Sequence, residues 1–333
     1  MRYLTIAEFG SFIGLSGNRV VVRNAEGEVF ETALSRLRAI RIAKKGVAFS
    51  SDLLLACAAR GIRVFLLDWR GVGVVALSGC HQHAVVALRE KQFFARNNER
   101  EAFRLAQSML EAKIFNQRAV LLYFGKSFKR DPAFNQDKLI EVGKRLDDLL
   151  DQLRSLQLSP TSEWKGQLLG IEGFAASVYW AYLREGHFLP EEFKERTGRG
   201  ALDIVNAGLN YGYAVLQSYV WGALDNAGFE LYGGFLHSDR PGKSSLILDV
   251  IEEYRAWVVD RNIIKIRKQL AQSSELNFKL KKRITEEIDK TMAGKIYWHG
   301  KSIKLENAMQ RQVYRLAGAI VEGTKYTGIH FKW

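Results

Sequence analysis

The chain has 333 residues, 47% of them hydrophobic, and only four prolines, which is enough apolar material for two folded cores and excludes a disordered polymer. Lys and Arg outnumber Asp and Glu by 49 to 36, and the net charge of +13 favours a phosphate-rich partner, although a basic balance also suits membrane surfaces. No apolar run approaches the ~18 residues of a membrane span, MRYLTIAEFGSF lacks the apolar core of a signal peptide, and Cys57 and Cys80 are too few for a disulfide framework, so a reducing cytoplasm is expected.

Residues 1 to about 80 alternate apolar and polar side chains in short runs, the period of half-buried strands. YLTIAEF, SFIGLSG, RVVVRN, EVFETAL, LRAIRIA, IRVFLLD and GVVALSG each read as a strand, with turn chemistry at Gly17-Asn18 and Glu26-Gly27. One helix interrupts them, capped by Ser51 and stopped by Gly61. From Ala84 onward the period lengthens to 3.6, predicting helices over 84–97, 99–124, 135–157, 161–185, 202–227, 244–258 and 302–321. Thr161 or Ser162 is the expected cap of the fourth, and Gly228 closes the fifth. The stretch 261–304 reads as helical and strongly basic. The fold class is therefore α+β and multi-domain. A small β-rich, sandwich-like domain (1–78) and a linker (79–86) precede a larger all-α domain (87–333).

Glu172 is the sharpest chemical signal. It follows Leu168 by four and precedes Ala175 by three, on the apolar stripe that Tyr179 and Tyr182 continue. A carboxylate facing a bundle interior costs several kcal/mol unless a cation or donors compensate it. An ion pair with an arginine of a neighbouring helix would satisfy it as well as a metal. Asp249 and Glu252 are three apart and share a helix face, opposite the stripe of Ile247, Val250, Ile251, Tyr254 and Val258. That placement favours a solvated polar face. His237, in GGFLHSDRPGKSS, leads into the same helix and lifts the pair towards a site. Carboxylates with one imidazole suit Mg²⁺ or Mn²⁺, with mixed oxygen and nitrogen ligation leaning to manganese. Arg240, Lys243, Ser244 and Ser245 lie between the histidine and the acids and could hold a phosphate. Cys80, His81 and His83 form a metal-like patch without a second half, better explained as linker, and the lone Gly71/Gly73 pair is a weak nucleotide signal.

Taken in order, several segments resemble the CRISPR adaptation integrase family, metal-dependent nucleases that insert spacers into a CRISPR array. They are SSDLLLACAARGIRVFLLD, ALREKQF, AKIFNQRAVL, LLGIEGFAASVYW, DIVNAGLNYGYAVL, GFLH, SLILDVIEEYR and RQVYRLAGAI, spread over nearly the whole chain. The resemblance implies metal ligation by Glu172, His237 and Glu252, with Asp249 as an auxiliary acid. The final ligand is glutamate where some members have aspartate. Phe229-Glu230-Leu231-Tyr232 stands where many members carry a proline. Asn206, Asn210, Tyr211 and Tyr213 match a family motif and imply supporting or DNA-side roles, with hydrogen bonding inside the bundle as the default. The same resemblance implies a homodimer through the β domain and a small ferredoxin-like adaptation subunit bridging two dimers. The DNA partners it implies are captured spacer fragments and the array itself.

The implied reaction is transesterification: the 3′-hydroxyl of a captured DNA fragment attacks a phosphodiester at the leader–repeat boundary. Lys243 and Arg240 are then candidates for stabilising charge on the phosphorus. Water in place of the hydroxyl would give endonuclease activity. Two alternatives remain open at this point. One keeps the chemistry in a stand-alone repair or recombination nuclease, or a transposon-type integrase; the other is a non-catalytic DNA-binding scaffold.

Overall fold

The computed structural model describes residues 2–68, 71, 73–79, 86–128, 135–158, 163–198 and 200–332. The chain divides into two compact units, Met1–His83 and Ala84–Trp333. The Cys80/His81/His83 patch and the expected caps Thr161 and Ser162 lie outside the described residues.

In the first unit the alternating runs become β1 (Arg2–Ile6), β2 (Phe12–Ser16), β3 (Arg19–Arg23), β4 (Val29–Ala33), β5 (Leu37–Ile42), β6 (Ala48–Phe49), β7 (Arg63–Leu67) and β8 (Gly73–Leu77). They form two four-stranded sheets, ordered β1-β5-β7-β8 and β4-β3-β2-β6. β1, β5 and β7 are parallel, while β8 returns antiparallel. A shared core draws Ile40, Ile42 and Val64 from one sheet and Ile13, Val20 and Val22 from the other. Helix α1 (Ser51–Ala59) closes that core with Leu53 and Cys57. Its cap is Ser50, whose hydroxyl accepts the Leu53 N–H at 3.3 Å, and not the expected Ser51. Capping bonds the third helical N–H, and counting back from Leu53 selects the earlier serine. Gly61, at φ +65°, supplies the left-handed stop.

The second unit is a helical bundle: α2 (Val86–Asn97), α3 (Glu99–Phe128), α4 (Gln136–Ser155), α5 (Trp164–Glu185), α6 (Ile204–Asn226) and α7 (Ser245–Tyr254). The thirty-residue α3 is its axis, packed on α4, α5 and α7. After α7 the chain widens into a π-helix, Arg255–Asp260, with the Arg261 N–H reaching back five residues to the Ala256 carbonyl. The basic stretch is not one helix. It breaks into α8 (Arg261–Lys265), α9 (Arg267–Ala271), α10 (Phe278–Ala293) and a hairpin of β9 (Lys295–Trp298) and β10 (Lys301–Lys304), so the unit is not purely α. Helix α11 (Leu305–Glu322) follows and ends at Gly323, φ +69°. Residues 324–332 then run as an extended strap. Its Ile329 and Phe331 meet Asn116 of α3, and Tyr326 and Ile329 meet Glu253 of α7. Among the described residues no helix is long and apolar enough to cross a membrane.

Candidate active site

The expectation that Asp249 and Glu252 sit on a solvated face is corrected. Helix α7 is buried except at Leu248, with Asp249, Glu252 and Glu253 each at most 3% exposed. α3 covers one side and α6 another, so the acids have no solvated face. Burial of ionised groups requires partners, and each acid has a distinct set.

Glu252 faces two cations. Nη1 of Arg255, one turn on, lies 2.7 Å from its Oε1, and Nζ of Lys113, from α3, lies 2.6 Å from its Oε2. The lysine meets that second oxygen at ion-pair distance, so each oxygen of this buried carboxylate has its own cation. Burial alone would raise the Glu252 carboxyl; Arg255 and then Lys113 outweigh it and hold it below the ordinary carboxylate value. His237 adds to this lowering, which brings the imidazole within electrostatic reach of Glu252.

The same Lys113 ammonium ion-pairs with Glu172. Glu172 comes from the middle of α5, on the stripe predicted to face the bundle, and its side chain keeps 19% exposure. The ion pair considered from the sequence therefore exists, with lysine as its cation instead of arginine. Burial opposes the charge on Lys113, but Glu252 and Glu172 together raise it above its ordinary value. Two carboxylates from different helices thus converge on one cationic position.

Asp249 turns the other way. Its Oδ2 accepts the N–H groups of Phe235 at 2.6 Å and Leu236 at 3.1 Å, and its Oδ1 accepts that of His237 at 3.1 Å. Nδ1 of the His237 ring stands 2.6 Å from Oδ1 as well. A carboxylate only accepts, so Nδ1 carries a proton, and the nitrogen left for a ligand is Nε2. The GFLH turn is fixed further by Ser245, whose hydroxyl accepts the Gly234 N–H at 2.9 Å and donates to the Tyr232 carbonyl. Buried Gln92 of α2 donates to the carbonyls of Glu230 and Gly233, both at 2.8 Å, and accepts the Glu230 N–H at 2.9 Å. That clamp holds the segment from Glu230 to Gly233 that leads into the turn.

Among the described residues no three His, Cys, Asp or Glu side chains close into a preformed metal cage. The donor set nevertheless fits a divalent ion. Glu172 and Glu252 already gather about a cation, and Asp249 accepts the Nδ1 proton of His237, so carboxylate oxygens and an imidazole nitrogen are the donor types such an ion would take.

Of the residues expected on the DNA side, Arg240 is exposed, Lys243 is half-buried and Ser244 is buried at the N-cap of α7 without a side-chain capping bond. Asn206 and Tyr211, expected on the DNA side with bundle hydrogen bonding as the default, take the default. Asn206 is fully buried, donating to the Glu195 carbonyl at 2.8 Å and to Asp203, and accepting the Thr197 N–H and Arg196 at 2.9 Å. The Tyr211 hydroxyl pairs with Thr285 at 3.2 Å. Tyr213 belongs to a different layer. Arg255 and Arg196 lie over its ring, and its hydroxyl donates to Asp260 at 2.6 Å, with Tyr179 donating to the same carboxylate at 3.2 Å. Sequence reading did not single out Lys113, Arg255 or Gln92.

A family model described as CRISPR associated protein Cas1 matches residues 4–296. A CRISPR-associated endonuclease Cas1 of Francisella tularensis subsp. novicida is 44% identical over 333 residues, covering all of both chains. In shape the chain is similar to a casposase bound to integration product, with a TM-score of 0.83, 21% identity, and coverage of 100% of this chain and 95% of that one. A Cas6-RT-Cas1–Cas2 complex gives a TM-score of 0.76 at 20% identity, over 99% of this chain and 36% of that one. At such identities the likeness to the two solved structures concerns the fold.

Proposed function

The chain belongs to the Cas1 family of CRISPR-associated proteins, and from that membership we propose that it is a CRISPR adaptation integrase. It joins the 3′-hydroxyl of a captured DNA fragment to the repeat of an array and cuts DNA as an endonuclease when water replaces that hydroxyl. The observation that carries this reading is the convergence of Glu172 and Glu252, from two helices, on one cationic focus beside an imidazole held by Asp249. A repair nuclease or transposon-type integrase would share that focus. The full-length likeness to a CRISPR-associated endonuclease favours adaptation over both, and over a non-catalytic scaffold.

Glu172, His237 and Glu252 would hold a divalent ion, Mg²⁺ or Mn²⁺. Bound there, the ion supplies Lewis-acid polarisation of the phosphoryl group and lowers the pKa of the attacking hydroxyl. The protein's own part is positional and electrostatic. Asp249 sets the His237 tautomer, and Arg255 balances Oε1 of Glu252. Arg240 and Lys243, on the loop after His237, would engage the phosphate backbone.

DNA and protein partners follow from the same reading. Phe9, Phe30, Leu55 and Val74 of the β-rich unit are each more than half exposed, apolar side chains that a homodimer through residues 1–78 would cover. A small ferredoxin-like subunit bridging two dimers belongs to the proposal, as does a cytoplasmic setting.

The test is strand transfer with a 3′-hydroxyl DNA donor, a supercoiled array plasmid, Mn²⁺ and the bridging subunit. Glu172→Ala and His237→Ala should each abolish joining while circular dichroism and melting show a folded protein. Undiminished joining by either variant would remove that residue from the reaction.

A further inference from the structure

The proposed chemistry uses the two carboxylates but leaves unexplained the side chain that unites them. Lys113 follows Met109 by four residues and precedes Asn116 by three, both fully or nearly fully buried, so its position faces the bundle interior. Only 12% of its side chain is exposed. Its ammonium ion-pairs with Glu172 and lies 2.6 Å from Glu252 Oε2, while Arg255 takes Glu252 Oε1 at 2.7 Å. Two carboxylates and two cations make this cluster neutral by itself. A divalent ion added to it would leave two uncompensated positive charges in a partly desolvated space, where like charges repel strongly. Of the two resident cations, the lysine is the one suited to yield. Arg255 lies over the Tyr213 ring, 4.9 Å from its centroid, whereas an ammonium on a four-carbon stem is flexible and has three rotatable donors.

We infer that Lys113 is the resident counter-ion of the Glu172/Glu252 pair. It is a positioning residue that holds the two carboxylates at one focus and gives up at least one of them when a divalent cation enters, so it sets the affinity for that ion. The inference rests on the proposed roles of Glu172 and Glu252 as metal-holding groups, and it adds a residue that competes with the metal.

The experiment is titration of the full chain with Mn²⁺, read by the electron paramagnetic resonance of free Mn²⁺ and by melting in chelator and in excess MnCl₂. Lys113→Met should bind Mn²⁺ at least about tenfold tighter, the scale on which one charge at 4–6 Å shifts a neighbouring equilibrium. It should also melt below wild type in chelator, because two carboxylates are then left with Arg255 as their one cation, and its Mn²⁺-induced rise in Tm should exceed that of wild type. Lys113→Gln, which can donate to a carboxylate without carrying charge, covers the case in which the methionine variant does not fold, and should tighten binding in the same direction. Lys113→Arg keeps the charge and should stay within a few-fold of wild type. Mn²⁺ affinity equal to or weaker than wild type in the foldable uncharged variants overturns the inference. The reading it rests on fails separately, and visibly, if Glu172→Gln binds Mn²⁺ as tightly as wild type.

Discussion

Nδ1 of His237 and Oδ1 of Asp249 are 2.6 Å apart, and the same carboxylate gathers the N–H groups of Phe235, Leu236 and His237. One buried acid therefore fixes both a backbone turn and the ring that ends it. Asp249→Asn replaces one acceptor oxygen by a donor facing donors. The expected loss is about 2–4 kcal/mol of stability, from buried N–H groups left unpaired. Strand transfer should fall about 10- to 100-fold, as for other changes to the partner of a ligating imidazole. Urea denaturation and the joining assay measure the two effects. An asparagine variant with wild-type joining would show that the ring needs no fixed tautomer.

The turn before His237 also depends on Gly234. A Cβ there would stand 2.7 Å from both Asp249 Oδ2 and the Ser245 carbonyl carbon, and the latter is backbone at the start of α7. Gly234→Ala should therefore cost about 1–3 kcal/mol, the scale of overpacking, and reduce joining through displacement of His237. Gly170, on an exposed turn of α5 with nothing within 4 Å of the added carbon, provides the contrast. Gly170→Ala should stabilise by roughly 0.5–1 kcal/mol, since alanine loses less backbone entropy in a helix. Equal effects of the two substitutions on the urea midpoint would contradict the steric account.

The contrast between acids and cations explains what the sequence discloses about this site. Glu172 betrays itself because a carboxylate on an apolar stripe has the wrong polarity for its neighbours, and the structure supplies the required cation. Lys113 carries the same signature on α3, in register with Ala106, Met109, Leu110, Gln117 and Val120, all buried. It stayed hidden because one cation among 49 attracts no notice, and because its partners lie 59 and 139 residues away in sequence. The strands of the first unit were legible from period-2 alternation. The β9–β10 hairpin obeys the same alternation, with His299 and Gly300 at positive φ in its turn, but its lysines made it read as more basic helix. Burial of α7 was not legible, because the helices that cover its polar face come from distant segments and no local period reports them.

Asp260 makes folding stability respond to pH. Burial pushes its carboxyl up from 3.8 to about 6, against the pull of the Tyr213 hydroxyl, Arg196 and the Tyr179 hydroxyl. A carboxyl whose folded pKa exceeds its unfolded value binds its proton more tightly when folded. Its contribution to stability therefore grows as pH falls through about 6, is complete below 3.8, and is absent at neutral pH and above. Asp260→Asn removes this titration. The stability of wild type minus that of the variant should rise by on the order of 2 kcal/mol between pH 7.5 and 4.5. Taking the difference cancels the acid sensitivity of every other group. A difference that stays flat across that range in urea melts would mean that Asp260 keeps its charge.

Asn116 ties the site to the strap. It is fully buried, its amide donates to the carbonyls of Glu253 at 2.7 Å and Ile329 at 2.8 Å, and its oxygen accepts the Phe331 N–H at 2.9 Å. It lies one turn beyond Lys113 on α3, and Glu253 is the neighbour of Glu252 on α7, so this one side chain sets the spacing of the two helices that share the ion pair. Asn116→Ala would remove its bonds to two carbonyls and one N–H in a buried space. At about 1–3 kcal/mol for each such group, relieved in part by local relaxation, the expected loss is about 3–4 kcal/mol. Asn116→Asp keeps the acceptor for Phe331 but turns an acceptor towards two carbonyls, and should destabilise at least as much at neutral pH. Joining should fall in both variants at temperatures where they remain folded, because Lys113 and Glu252 lose their common reference. Urea midpoints decide the matter: an alanine variant within about 0.5 kcal/mol of wild type, the range of ordinary surface substitutions, would mean that the strap and the two helices are held in place by apolar packing alone.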